Sequence, residues 1–120
     1  MLQGDFYTAS DINVEGNAIK ARLNLDVKHK IFEGHFPGHP VVPGVCMMQI
    51  VKEMLEIQLD RETRLEKASM MKFLNMINPQ VNSAINIEVK QLAADDGKIN
   101  VDAQLFVEGM VFFKFKGIFH

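Results

Sequence analysis

Alternation of apolar and polar residues marks several segments of this chain as strands. The clearest runs from Ile19 to Val27, and residues 5–12 carry a weaker signal of the same kind. In the second half, apolar residues again occupy every other position in residues 85–89, 99–105 and 111–115. A period of two is typical of strands with one face buried against a core. These segments therefore predict a sheet with one apolar face.

Short polar segments rich in turn-forming residues separate these predicted strands. Residues 13–17, which contain a glycine, predict the first turn, and residues 78–83 predict another. Residues 94–97 end in Asp-Gly, which is a strong signal for a tight hairpin, and Glu108-Gly109 predicts a second one. Two consecutive hairpins indicate antiparallel pairing in the C-terminal half of the chain.

Residues 44–59 predict the one long helix. Pro43 stands just before this segment, where proline is tolerated, and no proline interrupts it. Apolar residues leave only a narrow polar stripe, which indicates a helix buried on most sides. Residues 64–77 are apolar with less regular alternation and predict one further strand. The chain is therefore expected to form a single domain over residues 1–120, of the α+β class, with one helix wrapped by a curved antiparallel sheet.

Composition narrows the function classes. Apolar residues make up 48% of the 120 residues, and the net charge of −2 argues against a general nucleic-acid binder. Cys46 is the single cysteine, so no intramolecular disulfide forms, and its apolar neighbours suit a reducing compartment. No secretory signal is apparent at the start, and no apolar run reaches the length of a membrane span. We therefore expect a cytoplasmic protein without a membrane span.

The candidate chemistry lies in the segment just before the helix. Residues 28–44 hold three prolines and several glycines, which predicts a loop with one fixed backbone path that presents His35 at the mouth of the helix. An imidazole in such a place suits proton transfer. His29 and His39 lie nearby, but the spacing of the three histidines matches no common zinc pattern, so no metal site is expected.

This loop and the first turn of the helix resemble the active-site segment of the β-hydroxyacyl-acyl-carrier-protein dehydratases, which have the hot-dog fold. The family pattern is H-F-P-x-x-P-x-x-P-G-V, followed by a carboxylate in the helix. The residues that match it are His35, Phe36, Pro37, Pro40, Pro43, Gly44 and Val45. The resemblance implies a hot-dog fold and elimination of water from a 3-hydroxyacyl thioester, which gives a trans-2-enoyl thioester in fatty-acid or related synthesis.

The resemblance also implies a role for each matching residue. His35 is the base that takes the α-proton, and the N–H of Gly44, together with that of Val45, polarises the thioester carbonyl. Phe36 and Pro43 border the substrate. The family acid lies fourteen residues after the histidine, usually on the partner subunit, but this position is Gln49 here, and Glu53 follows one turn later. Either Glu53 supplies the acid, or His35 returns the proton itself while Gln49 only orients the hydroxyl.

Several expectations about partners follow from the same resemblance. The substrate is a thioester bound to acyl carrier protein or CoA, and the protein acts as a homodimer or a multiple of it. No metal or redox cofactor is required, because the thioester acidifies the α-proton. Two alternatives remain: a non-catalytic acyl-binding subunit that pairs with an active dehydratase, and a hot-dog thioesterase. The residues expected to pack the core or line an acyl tunnel include Met47, Met48, Met54, Met70, Met71, Met76 and Phe73.

Overall fold

The computed structural model describes residues 2–34 and 40–120, and within them one long helix packs against an antiparallel sheet. The order along the chain is β1 (Tyr7–Glu15), β2 (Ala18–Leu25), α1 (Ile31–Gly34), α2 (Gly44–Leu59), β3 (Leu65–Phe73), β4 (Ala84–Asp95), β5 (Lys98–Val107) and β6 (Met110–Phe119). The six strands lie in the order β1-β2-β4-β5-β6-β3, and each neighbouring pair is antiparallel. This confirms the predicted α+β architecture.

The core lies between α2 and the apolar face of the sheet. Helix α2 packs against β2 and β4, whose alternating side chains are buried, as the period of two predicts. From the helix, Ile50, Val51, Met54 and Leu55 are fully enclosed. Burial of such side chains contributes about 1.5–3 kcal/mol each, so this interface is what fixes the position of α2 on the sheet.

The N-terminal hairpin is longer than its sequence pattern predicts. Strand β1 reaches Glu15, so the turn expected over residues 13–17 contracts to Gly16 and Asn17, with Gly16 at φ 57°. A bulge between Ser10 and Asn13 interrupts the register with β2. This bulge and the polar side chains of β1 hide the alternation that would otherwise mark the strand.

Residues 28–44 are not a continuous loop, because helix α1 forms within them. The His29 Nδ1 accepts the N–H of Ile31 at 3.1 Å, and the carbonyl of His29 accepts the N–H of Phe32. The other ring nitrogen lies 3.0 Å from the Asp5 carboxylate. His29 therefore starts a single helical turn and ties it to the N-terminal segment.

Strand β3 forms one edge of the sheet, pairs with β6, and exposes much of its apolar surface. Met71 is 39% exposed, Phe73 52% and Met76, just beyond the strand, 79%. Of the two expected places, the core is wrong for these three residues, whereas Met47 and Met54 are buried as expected. Phe73 and Met76 instead line an open apolar groove. These apolar residues at β3 and just beyond it therefore form part of the protein surface.

No helix in residues 2–34 and 40–120 has the length and apolar character needed to cross a membrane.

Candidate active site

Helix α2 begins with backbone amides that its own hydrogen bonds do not use. The carbonyl of Pro43 accepts the N–H groups of Cys46 at 3.0 Å and Met47 at 3.2 Å. The amides of Gly44 and Val45 precede these bonds, and the first N–H groups of a helix have no acceptor within it. Together with the helix dipole, they favour negative charge that develops at this end. The start of α2 can therefore stabilise an oxyanion.

The ring of Phe73 lies close against Gly44 and leaves no room for a side chain there unless the ring moves. A Cβ atom on Gly44 would lie 2.8 Å from Cε1 and 2.9 Å from Cζ of that ring. Phe73 in turn stacks on Phe113, with the ring centroids 4.9 Å apart. A side chain at residue 44 would displace the ring, so glycine lets the end of β3 close against the first turn of α2.

An apolar groove opens at the same place. It has a volume of about 570 Å³. Its lining includes Val42, Pro43, Gly44, Met47, Phe73 and Met76. This combination of apolar walls and helix-terminal amides suits a molecule with a hydrocarbon chain and a polarised carbonyl. We refer to it below as the apolar groove.

Gln49 and Glu53 lie together further along α2, with the Gln49 Nε2 donating to Glu53 Oε2 at 2.9 Å. Gln49 is half-buried, whereas Glu53 is only 1% exposed. Both line a polar cleft of about 630 Å³, which also includes Lys52, Glu56 and Arg64. The carboxylate of Glu53 thus faces a neighbouring amide and not open solvent.

The N-terminal segment supplies the remaining partners of Glu53. The backbone N–H of Leu2 donates to Oε2 and that of Gln3 to Oε1, each at 2.8 Å, and the Tyr7 hydroxyl donates to Oε1 at 3.2 Å. Burial raises the pKa of the Tyr7 phenol above its usual value, and the charge and hydrogen bond of Glu53 raise it further. Tyr7 therefore stays protonated and serves as a donor.

The structure brings together some of the residues singled out from the sequence and separates others. Pro43 and Gly44 share the apolar groove, and Gln49 and Glu53 share the polar cleft. Val45 is 76% exposed, so its side chain does not line the apolar groove. His35 and Phe36 lie outside the described residues.

Comparison with known proteins assigns the family. Residues 11–110 match the model of the ApeI-like family, described as ApeI dehydratase. The chain belongs to the ApeI-like dehydratase family.

Two relatives of this ApeI-like chain are 3-hydroxyacyl-[acyl-carrier-protein] dehydratases FabZ. The protein from Nitratiruptor sp. is 29% identical over 78% of this chain and 75% of its own length. The one from Geotalea uraniireducens is 32% identical over 73% of this chain and 66% of its own length.

Solved structures support the fold of the ApeI-like chain. The dehydratase heterocomplex ApeI:P from Xenorhabdus doucetiae contains a chain with a TM-score of 0.71 and 17% sequence identity. The match covers 93% of this chain and 96% of that chain. The expected hot-dog fold is thus confirmed, and family membership gives the chain a dehydratase-like function.

Sequence reasoning missed one residue and one contact of this ApeI-like site. Tyr7, the one tyrosine of the chain, carries no motif that would connect it with Glu53, 46 positions away. Phe73 was expected in the core or a tunnel wall and lines the apolar groove, but its close approach to Gly44 was not predicted. Both contacts are long-range, and periodicity along the chain does not report them.

Proposed function

We propose that this protein eliminates water from a 3-hydroxyacyl thioester carried by acyl carrier protein, which gives a trans-2-enoyl thioester. The observation that carries the proposal is the apolar groove that ends at the start of α2, where the Gly44 and Val45 amides have no acceptor among the described residues. An acyl chain fits apolar walls, and a thioester carbonyl fits the amides. The names of the FabZ relatives supply the substrate class. A CoA thioester offers the same reacting atoms.

The reaction begins with removal of the α-proton. His35 takes this proton, and the C–H electron pair moves toward the carbonyl, whose oxygen becomes negative. The N–H of Gly44, assisted by that of Val45, stabilises this charge at the start of α2, which is the usual benefit of preorganised donors. No metal or redox cofactor is needed, because the thioester itself acidifies the α-proton.

Loss of the hydroxyl completes the reaction. The electron pair forms the C=C bond, the C–O bond breaks, and protonated His35 returns its proton to the departing oxygen as water. Gln49 acts as an acceptor that orients the hydroxyl, since an amide does not give up a proton at ordinary pH. Glu53 is unsuited to this step, because donors from four residues already occupy its carboxylate.

We further propose that two subunits complete each site. Among the residues that the structure describes, the apolar groove and the cleft with Gln49 share no lining residue within one chain, so we place the hydroxyl partner for the apolar groove on a neighbouring chain. The exposed apolar edge strand β3 supports such an assembly. We propose a homodimer or a multiple of it in the cytoplasm, with residues 1–120 acting as one domain. The ApeI:P complex makes a heterocomplex the alternative assembly.

Turnover by the purified protein tests the proposal. A short 3-hydroxyacyl thioester, on carrier protein and on CoA, is expected to give the enoyl thioester, which is followed by its absorbance and by mass. The matching saturated thioester is the control and is expected to stay unchanged. Release of free thiol would instead indicate a thioesterase. Activity that appears only after addition of an active dehydratase subunit would overturn the proposal in favour of a non-catalytic partner.

Gly44→Ala is expected to lower turnover about tenfold, because the displaced Phe73 ring enters the apolar groove. The cost in free energy of unfolding is expected to be about 1 kcal/mol, since the half-exposed ring can move. Steady-state kinetics and denaturant unfolding measure the two effects. The matched variant Gly44→Ala/Phe73→Leu removes the close contact and is expected to recover most of the rate. Full turnover by Gly44→Ala alone would contradict the proposed groove.

A further inference from the structure

Glu53 is a buried carboxylate on the polar stripe of α2, one turn after Gln49. Its neighbours Met54 and Leu55 are fully enclosed, and Glu53 itself is 1% exposed. A buried charge is tolerated only where donors compensate the loss of water. The role of Glu53 in α2 is therefore to accept hydrogen bonds, because a buried side chain does not contribute to solubility.

The hydrogen bonds to Glu53 use the full accepting capacity of its carboxylate. Oε1 accepts from Gln3 and Tyr7, and Oε2 accepts from Leu2 and Gln49, which gives each oxygen two donors. A carboxylate offers about four lone-pair positions in total. Before Glu53 could donate a proton or accept a substrate hydroxyl, at least one of these bonds would have to break. The Glu53 carboxylate is therefore positioned to accept hydrogen bonds from its own chain.

The carboxylate also decides which way the Gln49 amide faces. An ionised carboxylate only accepts hydrogen bonds, so the NH₂ end of Gln49 must be the end that meets Glu53 Oε2. The carbonyl Oε1 is then directed away from Glu53. With a glutamine at position 53, either end of the Gln49 amide could find a partner, and its orientation would no longer be fixed.

We infer that Glu53 is a positioning residue that holds Gln49 with its carbonyl oxygen toward the reacting hydroxyl, and that the N-terminal segment holds Glu53. This inference rests on the proposed function and adds a role for the carboxylate that follows Gln49. The donors of Leu2, Gln3 and Tyr7 fix one side of the carboxylate, and Gln49 takes the other. The segment before β1 thereby takes part in setting the geometry of the site.

A kinetic comparison in two backgrounds tests the inference. Glu53→Gln is expected to lower kcat about 10-fold or more with little change in KM, because the hydroxyl partner loses its fixed orientation. In a Gln49→Ala background, the same substitution is expected to change kcat less than about twofold, since the residue it acts through is absent. Glu66→Gln, which makes the same chemical change at an exposed carboxylate paired with Lys98, is the matched control and is expected to keep kcat within about twofold.

Each outcome bears on the inference. An equal loss of kcat in both backgrounds would show that Glu53 acts through folding, and no loss in either would remove it from the site; both overturn the inference.

If the wild-type protein has no turnover, the proposed function fails, and side-chain NMR decides the inference separately. The Gln49 NH₂ protons are expected to exchange slowly in wild type and in Glu66→Gln, and rapidly in Glu53→Gln. Rapid exchange in wild type would overturn it.

Discussion

His35→Ala is expected to lower kcat for a 3-hydroxyacyl thioester by about 10²–10⁴-fold, the usual cost of losing a general acid–base. In the proposed reaction, this imidazole both removes the α-proton and returns it to the leaving hydroxyl, so the upper part of that range is expected. KM should change little, because the apolar groove and the Gly44 amide remain. Single-turnover and steady-state measurements on purified protein check both values.

A matched control lies four residues away. His39→Ala alters a second histidine of the same sequence segment and is expected to leave kcat within about twofold. His35→Gln, which keeps a polar side chain but cannot carry a proton, should be as inactive as His35→Ala. Undiminished turnover in His35→Ala would remove the histidine from the reaction. Equal losses in His35→Ala and His39→Ala would indicate a general effect of substitution in this segment and not a specific role of His35.

The two halves of this site differ in how far the sequence predicts them. Helix α2 begins at Gly44 and ends at Leu59 as its composition predicts, because the proline before it and the apolar run are local signals. Likewise, Asp96 and Gly97 adopt the positive φ angles of a tight hairpin. The start of α2, where the proposed function places the oxyanion, can therefore be predicted from the sequence alone.

The solvent exposure of β3 could not be predicted from the sequence in the same way. Apolar residues in a strand predict burial, yet Phe73 is 52% exposed because β3 is an edge strand. Position within a sheet depends on which strands pair, and that order, with β3 beside β6, is set by contacts distant in sequence. The apolar pattern was a true signal of an apolar strand, but it did not show that this strand lies at an exposed edge of the sheet.

The environment of Glu53 was the least predictable feature. Helical spacing placed Gln49 and Glu53 on one face of the helix, and the structure confirms that they are in contact. Burial of the carboxylate depends instead on Leu2 and Gln3, about fifty positions earlier in the chain. No local sequence pattern predicts that a distant segment covers the polar stripe of α2. This coverage is what favours a role for Glu53 as a hydrogen-bond acceptor over a role as the acid.

Glu53→Leu should therefore be among the most destabilising single changes in α2. Leucine has a similar size, so little cavity forms, but the donors of Leu2, Gln3 and Tyr7 lose their acceptor. Hydrogen bonds to a charged group contribute about 1.5–3 kcal/mol each, although release of the N-terminal segment to water recovers part of this. We expect the free energy of unfolding to fall by about 3 kcal/mol, or Tm by ~10 °C.

Denaturant unfolding measures the loss, and hydrogen exchange locates it. The Leu2 and Gln3 amides are expected to lose protection in Glu53→Leu, while the amides of β4 and β5 keep theirs at moderate denaturant. Glu66→Gln is the matched control, because Glu66 is 36% exposed and pairs only with Lys98 among the described residues, at 3.1 Å. Surface pairs contribute at most about 1 kcal/mol. If the two variants were equally stable, the hydrogen bonds to Glu53 would not hold the N-terminal segment, and another contact would have to position Gln49.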